Sequence, residues 1–129
     1  MKFLERYSEP AYALLRIMTG LMFLQHGMQK YFGFPDTFAF LSNPLSGLQY
    51  AAGGIELVAG ILVIIGLCTR PAAFIASGMC AVGYWMVHAP NSFYPIANRG
   101  ELIALYCFVF LFIATRGAGI WSVDSARKR

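Results

Sequence analysis

Glu56 stands inside an apolar run, QYAAGGIELVAGILVIIGLCTR, that extends from Gln49 to Arg70. An ionisable group in such a segment costs about 2.5–3.5 kcal/mol on insertion scales, taking Asp as the comparable case. Such a carboxylate is expected to be paired or to do chemistry. Two histidines, His26 and His88, border apolar runs of their own, and imidazole titrates near neutrality without help from its surroundings. Glu56 and His26 are therefore the expected proton-handling pair. Lys30, Arg99, Arg16, Tyr84, His88 and Glu101 are the expected binding groups, since cations and hydroxyls can hydrogen-bond a ring carbonyl.

His26, His88, Glu56 and Glu101 are also adequate metal ligands. No HxxH or ExxH pair occurs among them, so no metal is predicted. No histidine pair at helical spacing can clamp a haem, and no Gly-rich phosphate fingerprint marks a flavin or nicotinamide site. Cys68, Cys80 and Cys107 are odd in number and form no CxxC pair. They read as small apolar fillers between helices. Blander readings stand beside the functional ones. Arg16 snorkels to headgroups or makes an interior ion pair or anion contact. Glu56 is a structural carboxylate or a proton carrier, and Glu101 a ligand contact or a partner of its helix dipole.

The elements that must position these groups follow from composition. Of 129 residues, 58% are hydrophobic and only 12% charged, about half the charged share of a soluble domain. The chain therefore reads as all-α, a single-domain integral membrane four-helix bundle over residues 1–129. Its spans fall near 10–30, 49–67, 71–88 and 101–116. The first resembles a signal peptide, but Arg16 interrupts it and no small-residue cleavage site follows, which predicts an uncleaved span. The formal charge of +4 collects at helix ends, as membrane topology requires, and not on a face suited to nucleic acid. Lys2, Arg6, Arg70, Arg116, Arg127, Lys128 and Arg129 all fall on one side if both termini are cytoplasmic.

At 100° per residue, Tyr12, Arg16, Thr19, Phe23, His26 and Lys30 share one stripe, while Gln49, Ala52, Gly53, Glu56, Ala59, Gly60 and Val63 share another. The small residues of the second stripe let a neighbouring helix approach closely. Ser77, Ala81, Tyr84 and His88 align on the third span, and Glu101, Leu105, Phe108, Phe112 and Thr115 on the fourth. A rise of about 1.5 Å per residue then gathers Glu56, His26, Lys30, His88, Glu101 and Arg99 in the outer half of the bundle. The expected throat below them is Phe23, Ser77, Ala81, Leu105, Phe108 and Phe112. Tyr31 to Leu48, with five aromatics among loop-forming residues, is the candidate lid. A titratable head above an aromatic throat suits an amphiphile with a ring headgroup and an apolar tail, such as a diffusible quinone.

LLRIMTGLMFLQHGMQKYFGFP at 14–35, GGIELVAGILVIIGLCTRPAA at 53–73 and NRGELIALYCFVFLFIATRGAGIWSVD at 98–124 resemble the DoxX-like family of small bacterial inner-membrane proteins. The resemblance covers nearly the whole chain in order. It implies a multi-pass four-helix bundle in the cytoplasmic (inner) membrane. The family's recurring positions match Arg16, Gly20, Gly27, Lys30, Gly54, Glu56, Gly60, Thr69, Arg70, Asn98, Gly100, Glu101, Gly117, Gly119, Trp121 and Asp124. Where the family often has a glycine, this chain has Arg99. The family takes its name from a subunit associated with a terminal quinol oxidase, and many members are labelled oxidoreductases.

The leading expectation is thus a quinone-interacting component of a membrane oxidoreductase system. The alternatives are a non-enzymatic assembly or scaffolding subunit and a small-molecule or proton pathway. The expected partners are the lipid bilayer, a larger redox enzyme subunit and a further copy of the chain.

Overall fold

The computed structural model describes residues 1–36 and 44–128. After a 3-10 turn at Lys2–Tyr7, α1 runs over Ser8–Phe32, with Glu9 at its positive end and Lys30 at its negative end, as the helix dipole favours. It stops at Gly33, which takes the left-handed conformation and returns its N–H to the Gln29 carbonyl at 3.1 Å. α2 (Gly47–Ile65) opens with a capping box: the Gln49 N–H donates to Ser46 Oγ, and the Ser46 N–H to Gln49 Oε1. These reciprocal bonds satisfy two backbone donors that a helix start otherwise leaves bare.

A short turn with left-handed Gly66 and Cys68 leads into α3 (Thr69–Gly83). The helix then widens into a π turn at Tyr84–His88 and tightens into a 3-10 turn at Ala89–Asn91. The single turn α4 (Pro95–Asn98) precedes α5 (Glu101–Arg116), and the single turn α6 (Val123–Ala126) closes the described chain. The fold is all-α, with no strand among the described residues.

α1 packs on α2, α3 packs on α5, and α2 joins the two pairs through α3. The α1–α2 approach is set by glycines seven residues apart on each helix. A Cβ on Gly20 would lie 3.0 Å from the Gly60 carbonyl oxygen, and one on Gly27 would lie 2.9 Å from that of Gly53. α1 meets α5 through rings: Phe23 lies 4.7 Å from Phe110 and 5.7 Å from Tyr106, centroid to centroid. Alanines 72, 73 and 76 and Cys80 make the buried face of α3 small enough for α5 to nest against it.

The outer faces are apolar as well. Leu14 and Met18 on α1, Val58 and Ile61 on α2, and Phe74 and Val82 on α3 are exposed, a surface that needs lipid or protein against it. Two helical stretches, Gly47–Ile65 and Thr69–Asn91, are long and apolar enough to cross a membrane. α1 has the length but carries Arg16, Gln25, His26, Gln29 and Lys30. α5 has 16 residues, about 24 Å of rise, short of a bilayer core of about 30 Å. The chain is membrane-associated.

The inward face of α5 differs from the expected one. Leu105, Phe108 and Phe112 are 62%, 69% and 48% exposed, whereas Tyr106, Phe110 and Ile113 are buried. Apolar residues surround this helix, so their periodicity marks no single inner face. The polar anchor chosen to orient it, Glu101, stays exposed at the helix start.

Candidate functional site

Lys30, in the last turn of α1, reaches back across the glycine seam to Glu56 on α2. Its Nζ lies 2.7 Å from Oε1 and 2.6 Å from Oε2, and the two side chains are only 14% and 7% exposed. The close backbones make this reach short: a Cβ on Gly53 would sit 3.2 Å from Lys30 Cδ. Both carboxylate oxygens face the one ammonium group, which accounts for the charge buried in α2.

Two further side chains complete this level of the bundle. Tyr106 from α5 and Cys80 from α3 are 6% and 1% exposed, and both are near enough to Glu56 to feel its charge. Each of the four long helices therefore contributes at least one titratable group. The Tyr106 hydroxyl is buried and has no hydrogen-bond partner. His26 stands edge-on to the Tyr106 ring with centroids 6.0 Å apart. Together with Met22, Gln25, Gln29, Pro35 and Leu102 these two rings line a cleft of about 160 Å³ between α1 and α5. Pro35 belongs to the candidate lid, of which residues 37–43 lie outside the described residues.

Tyr84 and His88 are drawn to Asn98. The buried Asn98 amide donates to the Tyr84 hydroxyl at 3.1 Å and to the Ser92 carbonyl at 3.0 Å, and its Oδ1 accepts the Gly100 N–H at 2.8 Å. His88 Nδ1 lies 3.0 Å from the Asn98 carbonyl oxygen, which makes it the donor. Arg99 is exposed with φ 58°, a left-handed conformation that favours glycine. The expected single outer cluster thus divides into a Lys30–Glu56 pair beside the His26 cleft, an Asn98 hub holding Tyr84 and His88, and exposed Arg99 and Glu101. Among the described residues no three His, Cys, Asp or Glu side chains come together as a metal site.

Arg16 makes no ion pair among the described residues, and fourteen residues of helix, about 21 Å, separate it from Lys30. It is fully buried, and its guanidinium donates to the carbonyls of Ala118, Ile120 (3.2 Å) and Trp121 (2.7 Å). A tail that folds back under the bundle offers this cation three carbonyl acceptors. Tyr12 donates to Gly117 O, and Arg70 donates to the carbonyls of Ala114, Thr115 and Arg116 at the end of α5. Asp124 accepts from the N–H groups of Cys68 at 3.0 Å and Thr69 at 2.9 Å, capping α3 from a distant part of the chain. Burial alone would raise the Asp124 carboxyl, but these N–H donors outweigh it and hold the group below its ordinary value.

The DoxX family profile matches residues 11–89. This chain belongs to the DoxX family. Over 129 residues, covering 97% of this chain and 96% of the relative, it is 40% identical to an uncharacterized protein of Haemophilus influenzae. An uncharacterized membrane protein of Mycobacterium tuberculosis is 31% identical, over 89% of this chain and 80% of its own. A Bacillus subtilis protein named "Putative oxidoreductase CatD" is 42% identical over 60 residues, 44% of each chain. No solved structure matches.

In this DoxX protein most of the positions that carried the resemblance have one of three structural jobs, the first being the hub in which Asn98 accepts the Gly100 N–H. Arg16, Thr69, Arg70, Gly117, Gly119, Trp121 and Asp124 belong to the clasp at the end where both termini lie. Gly20, Gly27, Gly60, Lys30 and Glu56 form the α1–α2 seam and its buried ion pair. Cys80 is a buried filler between helices, as the sequence suggested. Tyr106 escaped that reading, because a tyrosine in an aromatic-rich helix looks like filling until the helix faces are known.

Proposed function

We propose that this chain crosses the membrane four times with both termini cytoplasmic and serves as a quinone-interacting component of a membrane oxidoreductase system. The observation that carries this reading is the Lys30–Glu56 pair, buried at the level of a cleft that His26 and Tyr106 line. A volume of about 160 Å³ suits one ring headgroup, and the mouth residues Met22 and Leu102 are 39% and 44% exposed toward the apolar outer surface. A bound quinone would supply two-electron, two-proton chemistry. The residues of this chain bind and orient the ring at His26, exchange its protons at His26, and keep the nearby Glu56 carboxylate neutralised by Lys30. Electrons come from a larger redox subunit, since the sequence holds no cofactor motif.

Addition of a short-chain benzoquinone to the purified protein should raise its thermal midpoint, and Glu56→Gln should abolish that rise. Equal protection of both proteins would overturn the role of Glu56. One feature favours the alternative of an assembly subunit: Lys30 and both oxygens of Glu56 already satisfy each other, as a pair that only fixes helix register would. In that case cross-linking in native membranes traps a larger partner and no quinone protects. Recovery of the chain alone counts against assembly.

A further inference from the structure

Met22, Gln25, His26 and Gln29 follow one face of α1 and form one wall of the cleft, while Leu102 and Tyr106, one turn apart on α5, form the other. Three of the four α1 side chains are polar. α5 offers only a branched alkyl group and a ring. Toward the N-terminus the exposed flank of α1 is apolar, with Leu14, Leu15, Met18 and Leu21, so the two glutamines interrupt a surface suited to lipid. Among the described residues neither amide has a hydrogen-bond partner, although both open into the cleft. An amide without a partner in apolar surroundings is costly, and polar groups on a spanning helix face a partner or a cavity and not lipid. The Glu56 carboxylate has such a partner in Lys30. The glutamines have the cleft.

Their spacing says what meets them there. Residues four apart share a helix face and stand about 6 Å apart along the axis. Two oxygens at opposite corners of a six-membered ring span a similar length, and an amide NH2 donates to a carbonyl oxygen. A ring laid flat against Leu102 and the Tyr106 side chain therefore presents one oxygen to each amide. His26, between them in the chain, stands edge-on to that same tyrosine ring. Oxygens on adjacent ring corners lie too close together to meet both amides, and a single oxygen meets only one.

We propose that Gln25 and Gln29 read the cleft's ligand at two points, each amide donating to one of two oxygens set across a ring. This rests on the quinone reading for its ligand class, and it adds the residues that select the oxygen pattern. Leucine at either position removes the amide and keeps the bulk. Gln25→Leu and Gln29→Leu should melt no lower than the unaltered protein, since no bond of the fold is lost. A decyl-chain 1,4-benzoquinone titrated into detergent-solubilised protein should bind each variant about tenfold more weakly, and the double variant about a hundredfold more weakly. A decylphenol has the same ring and tail with one oxygen. It should bind the double variant no more weakly than the more affected single one.

Unchanged benzoquinone affinity in either single variant overturns the two-point assignment and leaves the quinone reading standing. Losses that multiply for the phenol as they do for the benzoquinone also overturn it, because one oxygen cannot answer two amides. A variant that binds weakly and melts lower has lost an amide that holds the fold, which removes that residue as a reader. Absence of benzoquinone binding in the unaltered protein overturns the quinone reading, and the assignment falls with it.

Discussion

Breaking the Lys30–Glu56 pair from one side should cost far more than removing both charges together. At 2.6–2.7 Å and an effective dielectric of about 20, the gross attraction is roughly 6 kcal/mol. Taking two charges out of water cancels much of that. What a single substitution exposes is the remaining unpaired charge, in surroundings that leave these side chains 14% and 7% exposed. Lys30→Met should therefore destabilise by about 3–5 kcal/mol. Glu56→Gln should cost somewhat less, since an amide oxygen still accepts one bond from Lys30. The double variant Lys30→Met/Glu56→Leu buries no charge and should recover most of the loss, because apolar replacement of a buried pair is often neutral or better. Thermal and denaturant unfolding in one detergent give the four stabilities and the coupling between the positions. Single costs under about 1 kcal/mol that simply add would match a solvated surface pair and refute the buried-pair account.

Three other outcomes are expected. Asp124→Asn should weaken the cap on α3 by about 1–2 kcal/mol. The Asp124 carboxyl is held low in the folded chain, so its contribution is complete above the unfolded value near 4 and fades as pH falls through the folded value. Unfolding midpoints measured from pH 6 to pH 3 should then drop less in the Asn variant. Arg99→Gly should raise stability by about 1 kcal/mol in equilibrium unfolding, because only glycine takes φ 58° without strain. Gly60→Ala places a methyl 3.0 Å from the Leu24 Cα and 3.1 Å from the Gly20 carbonyl oxygen. It should lower stability by about 1–3 kcal/mol, whereas Gly78→Ala, at an open position, should not.

Individual helices were legible in the chain to different degrees. Gly53, Glu56 and Gly60 share a small-residue face, and that pattern pointed to a closely packed neighbouring helix, which in the structure is α1. Depth along a helix was also readable, because rise per residue is fixed, so Glu56 and His26 could be set at one level. Azimuth across helices was not. Lys30 was expected to meet a ligand, and its bond to Glu56 depends on how closely two backbones approach. α5 presents Tyr106, Phe110 and Ile113 inward, and an all-round apolar helix gives no hint of that choice. Arg16 shows the same gap from another side. Its acceptors are backbone carbonyls from residues 118–121, and backbone groups carry no sequence signal until the tail is seen to fold under α1.

The central claim concerns where a ring headgroup sits, and a photoreactive benzoquinone addresses it directly. Cross-linked in proteoliposomes and mapped by peptide mass spectrometry, it should label α1 between Met22 and Gln29 and α5 between Leu102 and Tyr106, with labelling displaced by unmodified quinone. Labels scattered along the exposed faces of α2 and α3, undiminished by competitor, would contradict it.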